Sequence, residues 1–146
     1  MINLQIINNL FDNYILDKLK ILNILNSIVT NENKEFDSLN IILQDDEYLR
    51  ILKQKYFNQD IYTDVISFNL EDSHDPIDGE IYVSIPRIID NAKKYKIDLN
   101  DEFKRILIHG ILHLVGYNDN TKKDKIHMTK LENYYININK GIIITL

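Results

Sequence analysis

The segment from Asp101 to Val115 constrains the fold more than any other part of the sequence. Its apolar residues recur at i, i+3, i+4, i+7, i+8 and i+11, which on a helix form one continuous stripe. The stripe consists of Phe103, Ile106, Leu107, Gly110, Ile111 and Leu114. The spacing therefore predicts an amphipathic helix that packs by one face into a globular fold.

The remaining elements are predicted from shorter patterns. Strands are predicted at residues 2–7, Ser38–Leu43, Asp64–Asn69 and Glu80–Ser84. Helices are predicted at Asp12–Val29, Asp45–Lys55, Pro86–Lys96 and Lys122–Tyr135. The tail Ile138–Leu146 is apolar and β-prone, which fits either a short added strand or simple packing. Four strands with interspersed helices predict an α/β or α+β domain with a mixed sheet.

Composition limits the class of protein. The chain has 146 residues, 45% hydrophobic and 27% charged, a balance typical of one compact domain over residues 1–146. It contains no cysteine, so a transition-metal site must use His, Asp or Glu. No basic segment precedes an apolar run at the N-terminus, and no apolar stretch approaches the roughly 20 residues of a membrane helix. We therefore expect a cytoplasmic protein with no membrane partner.

The charge pattern bears on nucleic-acid partners. A formal net charge of −5 counts mildly against RNA, because nucleic-acid binding usually leaves a basic footprint. Basic residues do cluster locally, at Lys93, Lys94 and Lys96, at Lys104 and Arg105, and at Lys122, Lys123 and Lys125. Each cluster taken alone is typical of a solvated helix face.

Two histidines carry the clearest chemical signal. His109 and His113 lie four residues apart on the predicted helix, about 40° apart around its axis and one turn apart along it. Two imidazoles in this relation can bind one metal ion or can simply hydrogen-bond.

A turn after the helix favours the metal. Gly116 stands where a helix ends on a left-handed residue, and such a glycine turns the chain back. Asp119, three residues later, is thereby brought over the two histidines. His109, His113 and Asp119 would leave a fourth position open for water, as a catalytic zinc site requires.

The spacing also resembles that of the metzincin proteases. In those enzymes a glutamate follows the first histidine and acts as the general base of peptide hydrolysis. Gly110 occupies that position here, which argues against a peptidase.

Three blocks resemble a known family. HGILHLVGYND at residues 109–119 resembles the signature H-G-x-L-H-L-x-G-Y-D-H of the YbeY endoribonucleases. TDVISF at 63–68 is similar to that family's T-[DN]-V-L-S-F, and GEIYVS at 79–84 to its G-D-I-x-I-S. The blocks keep the family's order and approximate spacing. The resemblance implies a zincin-like α+β fold with a mixed four-stranded sheet and flanking helices, one zinc ion per chain, and action on small-subunit ribosomal RNA.

The sequence departs from the family at the implied zinc site. The third zinc-binding histidine of the family falls at Asp119, with Asn118 in place of its aspartate. Aspartate is an accepted zinc ligand, so the site can survive with a changed charge. His127 could substitute only if the last helix folds back onto the site.

A second departure concerns phosphate. The family's tyrosine–arginine pair falls on Tyr56 and Phe57, so the arginine is missing. Lys53, Lys55 and Arg87 are the candidates to replace its charge.

Other polar residues have simpler explanations. Asp64 is either a cleft residue or a turn residue, and Ser67 and Phe68 fit sheet packing and a cleft wall. Glu80 is either a support for the metal ligands or an exposed edge carboxylate. His74, in a polar loop with Asp72 and Asp75, is predicted to be solvated.

We therefore expect a zinc-dependent, single-strand-specific endoribonuclease that binds ribosomal RNA and the small ribosomal subunit, with no DNA partner. His109, His113 and Asp119 would hold the zinc, and the attacking group would be metal-activated water or the 2′-hydroxyl of the RNA. A non-catalytic ribosome assembly factor that keeps the fold is the alternative, and a zinc peptidase the third choice.

Overall fold

The computed structural model describes residues 1–71 and 76–146. Within these residues the chain forms an α+β fold. The strands are β1 (Asn3–Asn8), β2 (Ile15–Leu16), β3 (Phe36–Gln44), β4 (Val65–Asn69), β5 (Ile77–Ser84) and β6 (Ile144–Thr145). The helices are α1 (Lys18–Glu32), α2 (Asp46–Phe57), α3 (Ile85–Tyr95), α4 (Leu99–Leu114) and α5 (Lys122–Ile138).

The main sheet is mixed, as predicted. Its strand order is β1-β3-β5-β4, with β1, β3 and β5 parallel and β4 antiparallel to β5 at one edge. The central strand β3 is buried along its last four residues, from Ile41 to Gln44. This confirms the expected α+β class and the four-stranded sheet. No helix in the described part of the chain is long and apolar enough to cross a membrane.

Helix α4 is the most buried helix of the fold. It contacts β4, β5, α1, α3 and α5. The predicted stripe is buried on it along its whole length, from Phe103 to Leu114. The helix begins where the side chain of Asp98 accepts a hydrogen bond from Asp101 N at 2.8 Å.

The end of α4 is a Schellman turn. Gly116 N donates to His113 O and Tyr117 N donates to Leu112 O, both at 3.1 Å. Gly116 has a φ of +111°, as expected from its position in the sequence. A side chain at this φ is strained, so glycine is required for the sharp return of the chain.

A close approach joins α4 to the edge strand β4. A Cβ atom at Gly110 would lie 3.1 Å from Ser67 Oγ and 3.2 Å from methyl groups of Val65 and Ile81. The hydroxyl of Ser67 donates to the carbonyl of Gly110 at 2.9 Å. Ser67 therefore anchors the helix to the sheet, a more specific role than the sheet packing expected from the sequence.

The first helix starts later than predicted. The sequence pattern placed its start at Asp12, whereas α1 begins after Asp17, whose side chain accepts from Lys20 N at 3.1 Å. The residues just before it form β2, which pairs with β6 in the C-terminal tail. The tail is thus an added strand, the first of its two expected roles. Periodicity within one segment cannot reveal a pairing partner about 130 residues away.

The cluster Lys104–Arg105 is not a solvated face. The Lys104 ammonium is buried and donates to the carbonyls of Asn139 at 2.9 Å and Gly141 at 2.6 Å, which holds the tail in place. Arg105 pairs with Glu132. The predicted polar loop with Asp72, His74 and Asp75 lies outside the described residues.

We predict that Gly116→Ala lowers the free energy of unfolding by about 1–2 kcal/mol, because an L-residue is disfavoured at positive φ. No atom lies within 4 Å of the added Cβ, so the cost comes from the backbone alone. Urea denaturation measures the change, with the exposed Lys123→Ala as the control. An unchanged unfolding midpoint for Gly116→Ala would show that the turn tolerates another conformation.

Candidate metal centre

Two imidazoles on α4 face each other at the edge of a cleft. His113 Nε2 lies 3.0 Å from His109 Nε2, and the two rings are nearly perpendicular, at 81°. The side chain of His113 is 30% exposed and that of His109 is 20% exposed. Both rings are therefore accessible from the cleft, although neighbouring residues hold them in place. The i, i+4 spacing places them on one face of the helix, as predicted.

The second nitrogen of each ring has its own acceptor. His109 Nδ1 lies 2.7 Å from a carboxylate oxygen of Glu132, and His113 Nδ1 lies 2.9 Å from the carbonyl oxygen of Tyr117. An ionised carboxylate and a carbonyl only accept, so each Nδ1 carries the ring proton. The two Nε2 atoms then face each other, where they can share a proton or bind one metal ion.

Asp119 completes the group from the loop after α4. Its carboxylate oxygens lie 3.5 Å from His109 Nε2 and 3.7 Å from His113 Nε2. Within the described residues, these three side chains form a group whose ligand atoms all lie within 4.8 Å of one another. Ligands bound at about 2.0–2.1 Å in a tetrahedron are about 3.3 Å apart. The observed spacing therefore fits three ligands of one metal ion.

His127 stays outside this group. It is exposed on α5, with its ring 5.5 Å from that of Tyr117. The last helix thus directs His127 towards the loop and not towards the paired Nε2 atoms. The geometry favours Asp119 over His127 as the third ligand.

Glu132 is the residue that sequence reasoning missed. It is 7% exposed on α5, and its second oxygen lies 3.1 Å from Arg105 Nη1. A buried carboxylate on the proton-bearing nitrogen fixes the ring orientation of a metal-binding histidine and makes its free nitrogen more basic. Nothing in the sequence marks Glu132, since the fold alone brings it to a histidine 23 residues away.

The two histidines differ in their electrostatic surroundings. Burial lowers the pKa of His109, but the hydrogen bond and negative charge of Glu132, with the charge of Asp119, leave its pKa raised. Burial lowers the pKa of His113, and the neighbouring His109 lowers it further. The surroundings therefore raise the pKa of one imidazole of the group and lower the pKa of the other.

Further residues line the cleft, which has a volume of about 600 Å³. Asp64 lies in it; burial raises the pKa of this carboxyl group, and Asn91 Nδ2 donates to it at 3.2 Å. Asp64 is thus a cleft residue, the first of its two expected roles. Phe57 and Lys53 also line the cleft.

The three candidates for the missing arginine charge lie in different places. Lys53 lines the cleft, whereas Lys55 lies over the ring of Tyr56. Arg87 forms an ion pair with Asp46. Of the three, Lys53 is therefore the cation that the fold brings to the cleft of the candidate metal group.

Glu80 lies outside the candidate metal group. It accepts a hydrogen bond from the hydroxyl of Tyr82 at 3.3 Å. Glu80 is half-buried on the same side of β5 as Tyr82.

The chain matches known proteins over most of its length. The family model described as "Endoribonuclease YbeY" matches residues 6–139. A protein of that name from Karelsulcia muelleri (strain GWSS) is 46% identical over 110 residues, 75% of this chain and 77% of the relative. Another from Amoebophilus asiaticus (strain 5a2) is 40% identical over 116 residues, 80% of this chain and 79% of the relative. The solution structure of a Thermotoga maritima protein matches with a TM-score of 0.57 and 29% identity, over 92% of this chain and 86% of that one.

We predict that Asp119→Ala weakens metal binding by more than about a hundredfold, since loss of a ligand should exceed the 10–100-fold cost of losing a supporting partner. Asp119→His should retain or tighten binding. Competition with a chromophoric chelator, with zinc as the titrant, measures both, and His127→Ala is the control. Full zinc binding by Asp119→Ala, with loss in His127→Ala, would contradict the loop assignment.

We also predict that Glu132→Gln weakens metal binding about tenfold, because the neutral amide supports the His109 imidazole less strongly. The same competition assay applies. Asp46→Asn is the matched control, since Asp46 pairs with Arg87 and accepts from Ser84 Oγ outside the candidate metal group. Equal losses in both variants would mean that the effect is general destabilisation.

Proposed function

The chain belongs to the endoribonuclease YbeY family, which confirms the resemblance of its sequence, and on that premise we propose that it is a zinc-dependent endoribonuclease. Its substrate is single-stranded RNA, and its role is the maturation of small-subunit ribosomal RNA in ribosome quality control. Its partners are ribosomal RNA and the small ribosomal subunit, which implies a cytoplasmic protein.

The observation that carries the proposal is the arrangement of His109, His113 and Asp119 in one cleft. The donor set of two imidazoles and one carboxylate suits zinc, which commonly takes three protein ligands in catalytic sites. When bound, zinc polarises a phosphoryl oxygen and lowers the pKa of a coordinated water.

Other residues of the chain orient the metal ligands, bind the phosphate and line the cleft. Glu132 and the Tyr117 carbonyl orient the two imidazoles towards the cleft. Lys53 supplies a positive charge for the phosphate. Asp64 lines the same cleft, where burial raises the pKa of its carboxyl group.

Position 110 argues against the peptidase alternative. A metalloprotease of similar spacing needs a glutamate there. In this chain a Cβ at Gly110 would contact Ser67 Oγ, Val65 and Ile81, so the site packs α4 on the sheet.

Phe57 favours the second candidate, a non-catalytic assembly factor. It lines the cleft where a positively charged residue would offset the charge of a phosphodiester transition state. Loss of one such donor typically costs on the order of 10²–10³ in rate. An assembly factor would bind the small subunit with the same fold and leave the RNA intact.

We predict slow, zinc-dependent cleavage of a single-stranded ribosomal RNA fragment, abolished by chelation and by His113→Ala. Phe57→Arg should raise the rate by up to the 10²–10³ that such a donor contributes, because it restores a bidentate donor in the cleft. Gel analysis of end-labelled RNA measures the rates. Casein, incubated with the same protein, should remain intact.

Three outcomes separate the alternatives. Equal background rates for wild type, Phe57→Arg and His113→Ala, with RNA binding retained, would identify an assembly factor. Chelator-sensitive proteolysis of casein by clean protein would identify a peptidase. Zinc-dependent RNA cleavage lost in His113→Ala supports the endoribonuclease.

A further inference from the structure

Beside the metal group, the end of α2 presents two aromatic rings and two lysines. Lys53, Lys55, Tyr56 and Phe57 form this aromatic–lysine surface. Tyr56 and Phe57 are 57% and 44% exposed, so both rings are accessible to a ligand. Lys53 and Phe57 line the same cleft as the metal group, so the surface is continuous with it.

The rings of Tyr56 and Phe57 are held in place by Phe68 of β4. Phe57 stacks on Phe68 of β4 with centroids 5.9 Å apart and an interplanar angle of 23°. Tyr56 meets the same ring edge-on at 5.3 Å, and Phe68 in turn contacts Tyr82 at 6.0 Å. Rings fixed in this way lose little conformational freedom when a flat partner stacks on them.

Within residues 1–71 and 76–146, neither lysine of this surface has a carboxylate partner. Lys53 Nζ lies 4.6 Å from the centroid of Phe57, and Lys55 Nζ lies 5.2 Å from that of Tyr56. Neither lysine belongs to an ion pair among the described residues. The neighbouring Arg50 and Arg87, by contrast, are both neutralised by acidic side chains. Among the described residues, the unneutralised positive charge at this end of α2 is therefore carried by the lysines over the rings.

Exposed rings with adjacent cations match the chemistry of unpaired nucleotides. Bases stack on aromatic side chains through faces that are hidden in a duplex, while lysines attract the phosphates. Because a lysine side chain has a flexible four-carbon stem, the Lys53 ammonium can move from the ring face to a phosphate when a base stacks on the ring. A partner protein would not require this alternation of rings and unneutralised cations.

We propose that the aromatic–lysine surface binds single-stranded RNA, with a base stacked on Phe57 and the flanking phosphates on Lys53 and Lys55. The surface thereby leads an unpaired segment into the cleft of the metal group. Phe57 is a residue that determines specificity for unpaired RNA. The proposal rests on the proposed function, since it concerns the substrate of the same cleft.

The first test measures binding apart from cleavage. A short oligoadenylate is titrated in the presence of EDTA, which blocks metal-dependent cutting. Phe57→Leu is expected to raise the dissociation constant roughly five- to hundredfold, the range for loss of one stacked base. Phe57→Tyr should retain binding. Tyr95→Leu is the matched control, because Tyr95 is exposed beside Lys94, whose Nζ lies 5.6 Å from its ring.

A second measurement follows stacking directly. The chain contains no tryptophan, so Phe57→Trp introduces a single fluorescent reporter. Its emission should be quenched by the single strand and not by a duplex of the same sequence, whereas Tyr95→Trp should respond to neither. Lys53→Gln should reduce the slope of log affinity against log salt by about 0.7, as expected for one phosphate contact to a single strand.

The outcomes are distinct from those for the proposed function. Unchanged binding by Phe57→Leu, or equal quenching of Phe57→Trp and Tyr95→Trp, would overturn the stacking surface even if the wild type cuts RNA. Equal affinity for single strand and duplex would overturn it as well. If the wild type does not cleave RNA with zinc but Phe57→Leu loses RNA binding, the stacking surface is supported and the proposed endoribonuclease activity is wrong.

Discussion

The position of the candidate metal group depends on how closely α4 approaches the edge strand β4. At Gly110 the backbone of the helix lies so near the strand that an added Cβ would be 3.1 Å from Ser67 Oγ. The serine hydroxyl uses this proximity to bond the Gly110 carbonyl. His109 directly precedes Gly110 and His113 follows it by about one turn, so this contact fixes the position of both rings at the cleft. A side chain at position 110 would move the helix and the two imidazoles together.

Orientation of the rings comes from residues that the packing brings in from elsewhere. Glu132 approaches from α5, and Tyr117 offers its carbonyl from the Schellman turn. Together they fix the proton of each ring on Nδ1 and aim two lone pairs at one point, where Asp119 adds a negative charge. An arrangement of this kind is electrostatically unfavourable without a cation. The same contacts that assemble the fold therefore leave the paired Nε2 atoms placed to bind a cation, either a shared proton or a metal ion.

Local patterns predicted the parts of this site that lie close together in the sequence. The helix, the i, i+4 histidines, the Gly116 turn and the return of Asp119 all depend on residues within about twenty positions. Three other features depend on residues farther apart in the sequence: the contact of Glu132 with His109, the pairing of β2 with β6, and the burial of Lys104. Each depends on a contact between distant segments, and none changes the apolar spacing of its own segment. Lys104 was mispredicted for this reason, since its ammonium is satisfied by two tail carbonyls that only the fold supplies.

An arginine at position 57 would both attract a phosphate and stabilise the transition state, whereas Phe57 can do neither. A guanidinium in the cleft both attracts a phosphate and offers a rigid pair of donors to the charge that develops during cleavage. In this chain Lys53, one turn earlier on α2, lies over the Phe57 ring, so a positive charge is retained as a mobile point charge. Attraction of the phosphate therefore survives, while the fixed donor geometry is lost. The Phe57 ring offers instead a flat surface on which an unpaired base can stack. The cleft is therefore better suited to binding the RNA strand than to stabilising the transition state of cleavage.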